Sequence, residues 1–191
     1  MLSKVDALLI GGGMAYTFLR AMGQDVGKSL VEADKLEVAR EAIKEAEKKG
    51  VRFLLPVDHV LADKFAADAR TRIFEGDGPF PEGWMGLDIG PATAELFVTE
   101  IARARTIIWN GPMGVFEMPA FAKGTNSIAE ALAENAAAIT IVGGGDSVSA
   151  IKQAGVADKI KHISTGGGAS LEFLEGKRLP GVEALSEAPS L

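Results

Sequence analysis

Residues 139–147 read ITIVGGGDS: a β-type apolar run, three glycines, then a carboxylate and a hydroxyl where a helical pattern begins. The same arrangement occurs as LLIGGGMAY at 8–16 and as HISTGGGAS at 162–170. Two further junctions, IIWNGPMGVFE at 107–117 and GLDIGPAT at 86–93, carry single glycines in the same place. Glycine lets the backbone take positive φ and approach a ligand closely. A helix that starts there points its unpaired N–H groups and positive dipole end at the same spot. One triplet alone is read equally well as a tight packing turn. Three on one sheet edge favour an anion cradle built from backbone rather than from basic side chains.

Working outward, apolar runs at Val5–Ile10, Arg52–Val57, Met85–Ile89, Thr106–Trp109, Ala138–Val142 and Lys161–Ser164 are mostly continuous rather than alternating, as in parallel strands covered on both faces. Helical stretches lie between them at Met14–Met22, Glu32–Lys49, Pro91–Arg103, Asn126–Asn135, Ser147–Ala154 and Ala169–Glu175. In Glu32–Lys49 the residues Leu36, Ala39, Ile43 and Ala46 form one apolar stripe, and Gly50 supplies a stop. This rhythm predicts an α/β fold: three αβα layers around a Rossmann-like open parallel sheet, with ligands at the carboxyl edge. Phe74–Gly83 reads as a surface loop, and Leu179–Leu191 as a short helix followed by an extended end.

At 191 residues, 47% hydrophobic and 24% charged, the chain suits one globular domain. A net charge of −6 excludes a broadly basic surface for nucleic acid or acidic membranes. The absence of cysteine excludes disulfides, thiol nucleophiles and thiolate-bound zinc. The apolar start is too short to span a bilayer and lacks the layout of a secretory signal, so a cytoplasmic location is expected.

The triplets are not the dinucleotide fingerprint, because Tyr16, Val148 and Leu171 stand where G-x-G-x-x-G needs its third glycine. That argues against a dehydrogenase. GQDVGKS at 23–29 is one residue short of a Walker A loop and follows a helix. Gly23 is expected to cap that helix and Ser29 with Glu32 to form a capping box for the next. Asp146, at the cradle mouth, is expected to meet phosphates through Mg²⁺, a role compatible with helix capping. Glu117 fits either a ribose acceptor or a solvated loop carboxylate. Trp84 and Met85 are expected in the core or a pocket wall, and His59 and His162 to be structural.

The strings GGGMAYTFL, LPVDHVLAD, GWMGLDIGP, WNGPMGVFE, IVGGGDS and STGGGASLEFLEGKRLPGV, in this order, resemble the phosphoglycerate kinase family over nearly the whole chain. The resemblance implies the C-terminal, nucleotide-binding lobe (residues 1–191) of a two-lobe enzyme that exchanges a phosphoryl group between 1,3-bisphosphoglycerate and ADP. It puts adenine against Gly12, Gly13, Gly86 and Leu87, Asn110 near the nucleotide, and Glu117 on the ribose. Gly143, Gly144, Gly145 and Ser147 would contact phosphates, and Asp146 would bind Mg²⁺. The helix starts at Gly144 and Gly167 would supply amides to the transferring phosphoryl group of ADP or ATP. By the same resemblance the phosphoglycerate-binding lobe is absent, as is a G-G-A-K-V-x-D-K segment that contributes two lysines and one strand of the sheet. The intact enzyme is expected to be a monomer. The fragment alone is expected to be inactive, with exposed strand edges that invite association. A non-catalytic nucleotide-binding module is the alternative.

Overall fold

The computed structural model describes residues 2–76 and 78–184. Parallel strands flanked by helices bear out the α/β expectation. Strand β1 (Ala7–Leu9) pairs in parallel with β2 (Arg52–Leu54), and β6 (Thr106–Asn110), β7 (Ile139–Gly143) and β8 (His162–Ser164) form a second parallel sheet in that order. Among the described residues no strand pairing joins the two groups. They nevertheless share a core: Leu9 and Leu54 pack onto the cluster that contains Trp109, Val142, Phe97 and Leu132.

The third sheet was not expected. β3 (Asp58–Ala62), β4 (Thr71–Glu75) and β5 (Met85–Ile89) are antiparallel, in the order β4-β3-β5. Met85–Ile89 therefore belongs to this sheet and not to the parallel one, and Phe74–Glu75 is strand rather than loop. The hairpin closes through polar residues that read as a loop. Asp63 accepts from the Arg70 backbone N–H at 3.0 Å and from its Nε at 2.6 Å, while Lys64 pairs with Asp68.

The helices are α1 (Gly12–Ala21), α2 (Leu36–Lys49), α3 (Pro91–Arg103), α4 (Lys123–Glu134), α5 (Gly145–Gln153), α6 (Gly167–Glu175) and α7 (Pro180–Glu183). In α2 the expected stripe faces inward, with Ala39 and Ala46 buried, and Gly50 ends the helix at φ 68°. Helices α1, α5 and α6 start two residues before their expected first residues, inside the glycine triplets. Glycine is a poor helix former, but at a helix start its bare backbone keeps the unpaired donors accessible.

Ser29 does not cap a helix. Its Oγ donates to Val26 O at 2.6 Å and accepts from Gly86 N at 2.9 Å, so GQDVGKS packs against β5 instead of forming a phosphate loop. Gly23 lies just past the end of α1, with its N–H on Arg20 O at 3.0 Å. The expected terminal helix is α7; residues 185–191 of the expected tail lie outside the described residues.

His59 is buried among aromatic rings, 5.5 Å from Tyr16 and 5.0 Å from Phe80 between centroids. Burial lowers its pKa to about 4, outweighing the charge of Asp58, which acts to raise it. A depressed folded pKa means His59 contributes stability that is full above its ordinary value of 6.5 and is lost as pH falls through about 4. Replacing His59 with phenylalanine keeps the ring packing and is expected to flatten that acid limb in urea unfolding. An unchanged slope would show that His59 is not held neutral.

Candidate functional site

The loop 110–117 ties the glycine turns together. It leaves β6 at Asn110, and the Gly111 N–H donates to Ser147 Oγ of α5 at 2.6 Å. Further on, the Gly12 N–H donates to Met113 O at 3.0 Å, and the Val115 N–H to Leu87 O at 2.9 Å. Thr125 Oγ1 accepts from Met113 N at 3.0 Å and Gly114 N at 3.2 Å. The structure thus brings the turns at Gly12 and Gly144 and the strand at Leu87 together around one loop, although β5 lies in a different sheet.

On one side are the starts of α5 and α6. Gly144 has φ 92°, and a Cβ there would lie 2.6 Å from Asn110 Oδ1. A Cβ on Gly167 would lie 2.7 Å from Gly144 Cα and 2.8 Å from the same Asn110 oxygen. The two helix starts therefore meet backbone to backbone, with the Asn110 amide beside them. The first helical bonds run from Val148 N to Gly144 O and from Ser170 N to Gly166 O. The Gly144 N–H is itself taken by Ser164 O at 3.0 Å, which leaves the amides of residues 145–147 and 167–169 as the unpaired donors of two neighbouring helix ends, a combination suited to an anion. Asp146 is exposed in the first turn of α5, and Gly143 is buried at the end of β7. Ser147 is 1% exposed, and its hydroxyl oxygen braces Gly111 instead of standing free at the mouth.

On the other side, Gly12 (φ 61°) comes so close to the loop that a Cβ would lie 2.6 Å from Pro112 O. Leu30, 72% exposed, stands over Gly13, its Cδ2 3.2 Å from where a Cβ would be. The Tyr16 hydroxyl occupies the space a side chain at Gly86 would need. Leu87 is buried, and Glu117 is exposed at the far end of the loop. Trp84 is half-buried, with Arg70 and Arg72 over its ring at 5.9 and 5.6 Å.

Sequence reasoning missed Leu30, Tyr16, Thr125 and Asp88. Leu30 directly follows the rejected P-loop look-alike, and nothing in the sequence marks it as lying over Gly13. Asp88 gave none: it is 1% exposed on β5, inside a motif noticed for its glycines. Its carboxyl pKa is pushed up to about 7 by burial, against backbone hydrogen bonds from Gly124 and Ile89 that lower it. Burial and the Asp88 charge both raise the pKa of Tyr16.

Among the described residues no cluster of three or more His, Asp or Glu side chains could cage a metal. A lone exposed carboxylate beside an anion cradle instead suits Mg²⁺, which keeps waters and takes its remaining ligands from substrate phosphates. No helix among the described residues is long and apolar enough to cross a membrane.

Residues 1–177 match the family model described as phosphoglycerate kinase. The chain is 75% identical over 187 residues to the phosphoglycerate kinase of Acidobacterium capsulatum, covering 98% of this chain and 46% of that protein. It is 65% identical to that of Koribacter versatilis, covering 97% and 46%. The chain thus spans about half the length of the curated relatives it matches. Among solved structures, the phosphoglycerate kinase of Coxiella burnetii superposes with a TM-score of 0.90 at 43% identity, over 95% of this chain and 47% of that one.

Proposed function

Because this chain belongs to the phosphoglycerate kinase family, we propose that it is the nucleotide-binding, C-terminal lobe of such an enzyme, holding MgADP or MgATP in the glycine cradle. The observation that carries this reading is the meeting of the α5 and α6 starts at Gly144 and Gly167, joined by loop 110–117 to the turn at Gly12.

Adenine lies against Gly12, Gly13, Gly86 and Leu87, with Leu30 as an additional apolar wall. Glu117 accepts from the ribose hydroxyls, and Asn110 stands near the nucleotide. The phosphates meet the main chain of Gly143–Gly145 and of Ser147. Asp146 holds Mg²⁺, which when bound neutralises phosphate charge.

In the reaction an oxygen of the ADP β-phosphate attacks the acyl phosphate of 1,3-bisphosphoglycerate. The bond from phosphorus to the carboxyl oxygen breaks, and 3-phosphoglycerate leaves as a carboxylate. No general base is needed. The chain's part is to place the nucleotide and aim the free amides of the helix starts at Gly144 and Gly167, those of 145–147 and 167–169, at the charge of the transferring group. The phosphoglycerate-binding lobe completes the enzyme, so this chain alone is catalytically incomplete. The same reading places the enzyme in cytoplasmic glycolysis. The break between the β1–β2 and β6–β7–β8 sheets supports the view that one further strand, bearing phosphate-directed lysines, completes the lobe.

The test is a calorimetric titration with MgADP. Saturable binding is expected, weakened roughly tenfold in Glu117→Ala, which loses a hydrogen bond to a charged acceptor. Asp146→Ala is expected to weaken binding only when Mg²⁺ is present. Binding that ignores both substitutions would move the nucleotide out of this cradle.

A further inference from the structure

Helix α4 has no side-chain cap of its own. The Gly124 N–H at its start instead donates across the fold to Asp88 Oδ2 at 2.8 Å, and the Ile89 N–H donates to Asp88 Oδ1 at 2.9 Å. The carboxyl group fills the space that side chains at both Gly114 and Gly124 would occupy. One buried group is therefore wedged between β5, which carries Gly86 and Leu87, the loop that carries Glu117, and the first turn of α4. The adjacent Thr125 fixes the same loop from the other side.

We propose that Asp88 is a positioning residue of the nucleotide site, whose carboxylate holds the Gly114 segment and the start of α4 in register with Gly86 and Leu87. The proposal rests on the nucleotide reading above. An ionised carboxylate accepts on both oxygens and faces the positive end of α4. A protonated one gives up part of that acceptor capacity and the charge, so its hold on Gly124 loosens.

The other charged or titratable residues on segments packed against β5 are few. They are Tyr16 and Arg20 on α1, Asp25 and Lys28 on the segment 23–29, Asp58 and His59 on β3, and Lys123, Glu130 and Glu134 on α4; Glu117 is on the loop. Arg20, Asp25, Lys28, Lys123, Glu130, Glu134 and Glu117 are exposed, His59 is held neutral, and Tyr16 stays protonated through the neutral range. Asp58 is buried in its own hydrogen bonds to Ala92 and Thr93. Asp88 is thus the group in this wall whose charge changes near neutrality, through about pH 7.

The test begins with the free chain. The Asp88 carboxyl ¹³C shift and the amide shifts of Gly114, Val115 and Gly124 are followed by NMR from about pH 5.5 to about pH 8.5, a span covering the ordinary titration of histidine but not of carboxylates. The amides are expected to move together with the Asp88 carboxyl, at one midpoint. Amides that stay still while the carboxyl titrates, or a carboxyl ionised throughout, would overturn the proposal.

Adenosine, which has no phosphate to titrate, is then bound across the same range. Its affinity for the wild-type chain is expected to rise with pH. In Asp88→Asn it is expected to be about tenfold lower at high pH, as for loss of a charge-assisted hydrogen bond, and independent of pH. Thr125→Val should weaken binding but keep the pH step. A pH step that persists in Asp88→Asn would overturn the proposal. A wild-type chain that binds no adenosine at any pH would count against the nucleotide reading, and the amide titration would still decide the role of Asp88.

Discussion

Replacing Gly144 with alanine is expected to lower MgADP affinity on the order of a hundredfold while leaving the chain folded. Two costs fall on the same spot. Gly144 has φ 92°, where an L side chain is strained by about 1–3 kcal/mol. The added Cβ would also lie 2.6 Å from Asn110 Oδ1, so the Asn110 amide must move. Relieving either cost shifts the α5 start away from α6 and spoils the convergence of their amides. About 1.4 kcal/mol is a factor of ten in affinity, so a hundredfold loss requires roughly 2.8 kcal/mol, within that range. Gly145→Ala separates strain from ligand contact. Beyond its chain neighbours and the backbone of its own helix, nothing among the described residues lies within 4 Å of a Cβ there, and Gly145 is the first residue of α5, so stability should hold. If phosphate approaches the backbone at Gly145, affinity should still fall. Wild-type affinity in Gly144→Ala, measured by calorimetry, would remove this cradle as the phosphate site.

For stability, the largest loss is expected from Asp58→Ala. Asp58 is 1% exposed, and its carboxylate accepts from Ala92 N at 2.9 Å, Thr93 N at 2.8 Å and Thr93 Oγ1 at 2.5 Å. Thr93 Oγ1 in turn accepts from Val57 N at 3.0 Å and Asp58 N at 3.1 Å. Together they cap α3 from across the fold and anchor the crossing from β2 to β3. Alanine leaves several buried donors without an acceptor, a loss of about 3–5 kcal/mol. Against a usual total of about 5–15 kcal/mol, that is enough to unfold a marginal chain. Asp58→Asn keeps one acceptor oxygen and should lose less. Urea midpoints give the comparison, and an Asp58→Ala loss below about 1 kcal/mol would mean that water replaces the carboxylate.

The opposing pH slopes of His59 and Asp88 can be read in the same unfolding series. The raised pKa of Asp88 adds stability that is full below its ordinary value of 3.8 and is lost as pH rises through about 7. His59 acts in the opposite direction between about pH 4 and 6.5. Wild-type stability should therefore vary little over that window. Asp88→Asn should expose the rise due to His59, and His59→Phe the fall due to Asp88.

The strand-to-helix junctions, the α/β class and the family were legible in the order of amino acids. Those features are written locally: apolar runs, the α2 stripe ending at Gly50, and glycine triplets where a strand runs into a helix. Motif order also put Asn110, Gly144 and Gly167 at junctions, and the fold brings those three together. Which partners these residues take depends on how distant segments pack. Asp58 caps α3 and Asp88 caps α4 from positions 34–36 residues away in sequence, and Ser147 braces Gly111 across 36. The β3–β4 hairpin escaped notice because its polar turn mimics a loop, and β5 was assigned to the wrong sheet because one strand's apolar run does not record its neighbour's direction. Propensity and turn chemistry act over a few residues. A buried carboxylate's partners, and the sheet a strand joins, are set by which distant backbone donors the packed core leaves unpaired.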